Sequence, residues 1–155
     1  MSLTDWILVL HVLSAFALVA SMVLFWTLVV ATRKLTDVDA RITYGRVGDL
    51  GGRIIGVGFF GTIIFGIWLA FAKDGYAIWD AWIIAAIILW AIGGATGGRA
   101  GAEYQKVLEH AQELKAAGRP AQPGEFRSSS GELMLAISSL AILLLLIDMI
   151  WKPGA

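Results

Sequence analysis

Of the 155 residues none is cysteine, only two are histidine and 15% are charged. The missing thiols exclude disulfides, thiolate-bound metals, iron–sulfur clusters and cysteine nucleophiles. Lys plus Arg equals Asp plus Glu, at 12 each, so no excess charge draws the chain to nucleic acid. The common catalytic patterns are missing too. There is no phosphate-binding glycine loop before a lysine, no zincin histidine pair and no cluster of paired carboxylates. Nor is there the alternation of polar and apolar residues that a membrane barrel requires.

What the chain has is apolar length. Hydrophobic residues make up 58% of it and its mean hydropathy is +0.76, leaving too little polar surface for a soluble domain. A helix rising ~1.5 Å per residue needs roughly 20 apolar residues to cross ~30 Å of hydrocarbon. The runs 6–31, 54–72 and 133–151 meet that length, and 82–98 meets it when Gly93, Gly94, Gly97 and Gly98 complete it. The expected fold is all-α: one integral membrane four-helix bundle over residues 1–155. The first run carries Asp5 where a signal peptide is basic, and it is too long for a signal core, so it reads as a retained span.

Charge orients the bundle. Arg33, Lys34, Arg41, Arg46 and Arg53 follow span one, and Arg99, Lys106, Lys115, Arg119 and Arg127 follow span three. Lys73 and Lys152 alone fall on the other side. The positive-inside rule then puts both termini outside. Trp6, Trp79, Trp82 and Trp151 gather at the outer interface as an aromatic belt.

Local signals refine this outline. Ser2 with Asp5, Thr36 with Asp39 and Ser129 with Glu132 have capping-box spacing. In the first basic loop Val38, Ile42 and Val47 form an apolar stripe suited to lie on the membrane, interrupted by Gly45, Gly48, Gly51 and Gly52. Span three extends into the cytoplasm as a helix, because Tyr104, Val107, Leu108, Ala111 and Leu114 keep helical spacing, and Gly118-Arg119-Pro120 ends it. Gly58, Thr62 and Gly66, and likewise Gly93, Gly97 and Gly101, form ridges for close helix packing, within the bundle or against another subunit. Gly97-Gly98-Arg99 reads as a snorkelling arginine or a lipid-headgroup contact.

One chemical handle lies within the spans. His11 sits inside span one, with Ser14 and Ser21 continuing its face. Asp148 is the one acid inside a span, Met149 adjoins it, and both lie in the same leaflet as His11, near Tyr76 and Asp80 of the outer loop. Three readings stand open. His11 hydrogen-bonds a serine, a carbonyl or Asp148 and tightens the bundle. Alternatively it ligates haem iron or copper, with Met149 or another subunit's histidine opposite. Or it exchanges protons with Asp148. His110 lies on the cytoplasmic helix and reads as a solvated residue.

The run from His11 to Trp26 resembles the first span of small bacterial membrane proteins grouped around copper-resistance protein D and the HemJ type of protoporphyrinogen oxidase. It is most similar to an uncharacterised integral membrane family (domain of unknown function 2269). Leu10-His11-Val12-Leu13 fits that family's opening, while Leu18 replaces its aromatic and Ala20-Ser21 its glycine pair. Phe65-Gly66-Ile67-Trp68-Leu69 and the stretch Gly45 to Arg53 also look like it. The resemblance covers the first half of the chain. It implies a multi-pass protein of the bacterial inner membrane, with haem b or copper at the His11 position. The HemJ type also uses a lysine in a later span, and spans two to four here contain none. The leading expectation is therefore an accessory or assembly component working beside other membrane subunits or as a homo-oligomer. HemJ-like oxidoreduction and metal permeation are the alternatives.

Overall fold

In a computed structural model, which describes residues 2–72 and 79–152, the chain forms four helices. They are α1 (Leu3–Thr32), α2 (Val38–Ala72), α3 (Ala81–Ala116) and α4 (Ser129–Trp151). All four are long and apolar enough to cross a membrane, and no strand occurs among the described residues. Large apolar side chains point outward along every helix, among them Phe16, Val57, Phe71 and Ile150. In water such a surface would aggregate; against lipid tails it is the solvated face.

The helix starts follow from side-chain capping. Ser2 and Asp5 form the expected capping box on α1. The other two expected caps move by one residue. Asp37, not Thr36, opens α2, because its short carboxylate Oδ1 accepts the backbone N–H of Asp39 at 2.9 Å and of Ala40 at 3.1 Å. Ser128, not Ser129, opens α4, accepting the Gly131 N–H at 3.1 Å. At the end of α3, Gly118 takes φ +62°. There Arg119 N–H reaches the Leu114 carbonyl and Gly118 N–H the Lys115 carbonyl, a Schellman closure that stops the helix where expected.

The first basic loop departs most from expectation. It does not lie on the membrane as a separate stripe. α2 runs unbroken through Gly45, Gly48, Gly51 and Gly52 into the second span, so it is 35 residues long, or about 52 Å. α3, with 36 residues, matches it. Both helices therefore project beyond the bilayer at the basic end, and their projections pack together. Val38 and Ile42 of α2 meet Leu108, Ala111 and Leu114 of α3, and Phe126 folds back beneath them from the α3–α4 connection. The stripe is apolar because it covers α3. Lys115 with Asp39 ties the same pair at 2.5 Å.

Within the membrane, α1 pairs closely with α2, α3 with α4, and α2 with α3. Small residues set the distances. A methyl group on Gly58 would lie 2.8 Å from both the Leu18 nitrogen and the Ser14 oxygen, so the backbones of α1 and α2 touch there. Gly93 and Gly97 face Ser138 and Ile142 of α4. Both ridges thus pack inside the bundle, although Gly101 meets no neighbour. Trp90 stacks on Phe59 at 4.2 Å and donates its indole N–H to the Phe59 carbonyl. Ser138 donates to the Gly93 carbonyl, and Trp26 to Ser139, which joins α1 to α4. Trp6, Trp79 and Trp151 are exposed at the outer end as a belt requires. Trp82 is not part of it. That side chain is buried, with Lys152 Nζ 5.4 Å from its ring centre.

Two stability predictions follow from these contacts. Gly58→Ala should cost about 1–3 kcal/mol, because the obstructing atoms are backbone. Gly56→Ala, which meets nothing within 4 Å, should stay within about 0.5 kcal/mol of wild type. Unfolding in mixed micelles, followed by tryptophan fluorescence, measures both. The second concerns Glu125, whose carboxyl is held below the usual range by the Gln122 backbone N–H and then by the His110 ring at 2.9 Å. A carboxyl depressed on folding stabilises above its unfolded pKa, and the effect is lost as pH falls through the folded value. Glu125→Gln should therefore melt below wild type at neutral pH, and the gap should close as pH falls through the lowered folded value of the carboxyl.

Candidate functional site

The outer half keeps its polar residues apart. His11 faces α2. Its ring fills the notch left by Gly66, where a methyl group would stand 3.0 Å from Cε1, and it leans on the Thr62 backbone. Its Nδ1 is buried with no hydrogen-bond partner. Ser14 and Ser21 are buried on the same face, so the stripe points inward as expected. Ser14 spends its hydroxyl on the Leu10 carbonyl at 2.7 Å.

Asp148 and Met149 belong to α4, which packs along α3 in the other helical pair. No hydrogen bond or ion pair joins Asp148 to His11, and Asp148 Oδ2 is itself buried without a partner. Tyr76 and Lys73 lie outside the described residues, and Asp80 opens α3 through its backbone carbonyl. No group of three or more His, Asp or Glu that could hold a metal ion occurs among the described residues. His11 therefore stands outside any such group among the described residues. His110 lies beyond the membrane paired with Glu125, rather than free in solvent.

A cavity lies elsewhere. About 470 Å³ opens at the basic end between α1, α2 and α3, well within the range of ligand sites. Phe25, Leu28, Val29 and Thr32 line it from α1, and Gly101, Tyr104, Gln105 and Leu108 from α3. On α2 the wall is Arg41, Tyr44, Gly45, Gly48, Asp49, Gly52 and Arg53. The glycines recur at three- and four-residue intervals, so one face of α2 carries almost no side chain there.

Arg41 dominates this cavity. Only 5% of its surface is exposed. Its Nε has no partner, and no ion pair or hydrogen bond reaches its guanidinium among the described residues. The Phe126 ring lies 6.0 Å from its Cζ, and Tyr104 is near enough to interact with its charge. Tyr104 also lines the cavity, with its hydroxyl buried and unpartnered. The lining charges are Arg41 and Arg53 against Asp49, two positive and one negative, so the cavity carries a net +1.

Sequence reading passed over this site because Arg41 counted only as one of five basic loop residues. A signal was present. Arg41 shares the helical face of Val38, Ile42 and Gly45, where a solvated arginine has no place. Arg99, suggested beside its glycines as a headgroup contact, is exposed and does not line the cavity.

No family model, curated protein or solved structure matches the chain.

Proposed function

We propose that this chain is a non-catalytic accessory protein of the bacterial inner membrane that holds an anionic ligand at its cytoplasmic end. The observation that carries this reading is Arg41, a permanent cation buried in a ligand-sized cavity with no counter-charge bonded to it. Burying an unpaired charge is costly, so an arginine in this position points to a bound anion. The lining supports holding rather than reaction. Among the described residues it contains no histidine or serine, and Asp49 is its single carboxylate.

Inorganic phosphate tests the reading on protein purified in a non-ionic detergent. At constant ionic strength, phosphate in place of chloride should raise the melting temperature of the wild type. Arg41→Met, which keeps the volume and removes the charge, should melt at or above wild type without phosphate and lose the rise. A wild type that melts alike in both salts, with Arg41→Met several degrees less stable, would show Arg41 to be a packing residue and sink the reading.

A second reading rests on the buried, unpartnered Nδ1 of His11. Haem b or copper bound through His11 would take its opposing donor from Met149 of α4 or from another subunit's histidine. Absorption spectra before and after dithionite decide it. A Soret band, or bound copper, that disappears in His11→Ala supports this reading. A colourless, copper-free wild-type preparation removes it, and with it the HemJ-like and permease alternatives.

A further inference from the structure

The position of the cavity relative to the bilayer specifies its ligand further. Val29, on its wall, packs with Ala100 and with Leu135 of α4. Leu135 lies just past Leu133, where α4 becomes continuously apolar, so this contact marks the edge of the hydrocarbon. From that level the α3 wall climbs from Gly101 to Leu108, a rise of about 10 Å. The polar layer of one leaflet is roughly 5–8 Å deep, half the difference between the full bilayer and its hydrocarbon core. The cavity thus stands across the headgroup layer.

Arg41 stands at the end away from the membrane, while on α1 Phe25 and Leu28 form the wall that descends toward lipid. The α2 wall between is Gly45, Gly48 and Gly52, edged by the exposed side chains of Asp49 and Arg53. A methyl group on Gly52 or on Gly101 would meet nothing within 4 Å, so space is left open on both sides of the lower half. A small soluble anion at Arg41 would leave the space along Gly48, Gly52, Phe25 and Leu28 empty. An amphiphile fills that space as well.

Resting on the reading of Arg41 as an anion site, we infer that the ligand is an anionic phospholipid of the cytoplasmic leaflet. Its phosphate pairs with the Arg41 guanidinium, and the upper part of its acyl chains lies along Gly48 and Gly52 against Phe25 and Leu28. Arginine suits a phosphate because its planar fork gives two parallel hydrogen bonds.

The test uses the full chain in non-ionic detergent with two probes, dihexanoyl phosphatidylglycerol and glycerol phosphate, and reads binding by melting shift and by native mass spectrometry. The lipid should bind wild type about tenfold or more tightly than glycerol phosphate, because only the lipid buries apolar atoms. Arg41→Gln should weaken both probes about tenfold or more. Gly52→Leu should block the lipid and leave glycerol phosphate unchanged, with Gly101→Leu as the equivalent change on the opposite wall should the first misfold. Equal binding of the two probes, both dependent on Arg41, overturns the lipid inference and leaves the anion site standing. Binding of neither overturns both. Lipid binding that persists unchanged in Arg41→Gln places the lipid on the outer apolar surface and overturns the assignment to this cavity.

Discussion

The contact of α1 with α2 at Gly58 governs the rest of the structure. In lipid no hydrophobic effect presses helices together, so association depends on how closely backbones approach. At Gly58 the approach is limited by backbone atoms of Ser14 and Leu18. Toward the basic end the contacts change in kind. Gly51 meets the tip of Leu24, Gly48 lies 3.7 Å from Leu28, and Gly52 meets nothing. The two helices are held tightly at mid-membrane and separate beyond it. α1 stops at Thr32 while α2 continues past it alongside α3. The cavity is the wedge that this divergence leaves.

Polar groups inside the spans are handled by local bonding. Ser14, Thr27, Thr32, Thr96 and Ser139 each donate to the carbonyl four residues earlier, so their hydroxyls ask nothing of another helix. The few bonds that cross between helices are therefore informative. Trp26 to Ser139, Trp90 to Phe59 and Ser138 to Gly93 fix α4 against α1, α3 against α2 and α4 against α3 in turn. Bonds of this sort in membrane proteins are worth about 0.6 kcal/mol each. They set rotation about the helix axes more than they set stability. That rotation places His11 against Gly66 and leaves it unbonded to Asp148.

Helix number, the all-α class and the extension of α3 were legible in the chain because each rests on a one-dimensional quantity, the length and period of apolar runs. Gly118-Arg119-Pro120 was legible for the same reason, as a local stop signal. The continuity of α2 was not. Four glycines lower the intrinsic helical preference of residues 45–52, yet packing on Leu108 of α3 and Phe25 of α1 overrides it. A glycine-rich stretch reads as a loop when its neighbours are unknown and as a groove once they are in place. The site was missed by the same route. Arg41 belongs to the cavity only if α2 is already helical at that point, so one wrong boundary hid both.

His11 and Arg41 show why burial alone is a poor guide to function. Each has a ring or guanidinium nitrogen cut off from water without a partner. An imidazole can shed its proton and sit neutral between helices at the cost of one unmade hydrogen bond, about 1–3 kcal/mol. A notch such as Gly66 is sufficient to hold it. A guanidinium has no neutral form to retreat to. Its charge has to be met, and the ring of Phe126 at 6.0 Å meets only part of it. The same observation therefore weighs differently at the two ends of the bundle, and the heavier weight falls at the basic one.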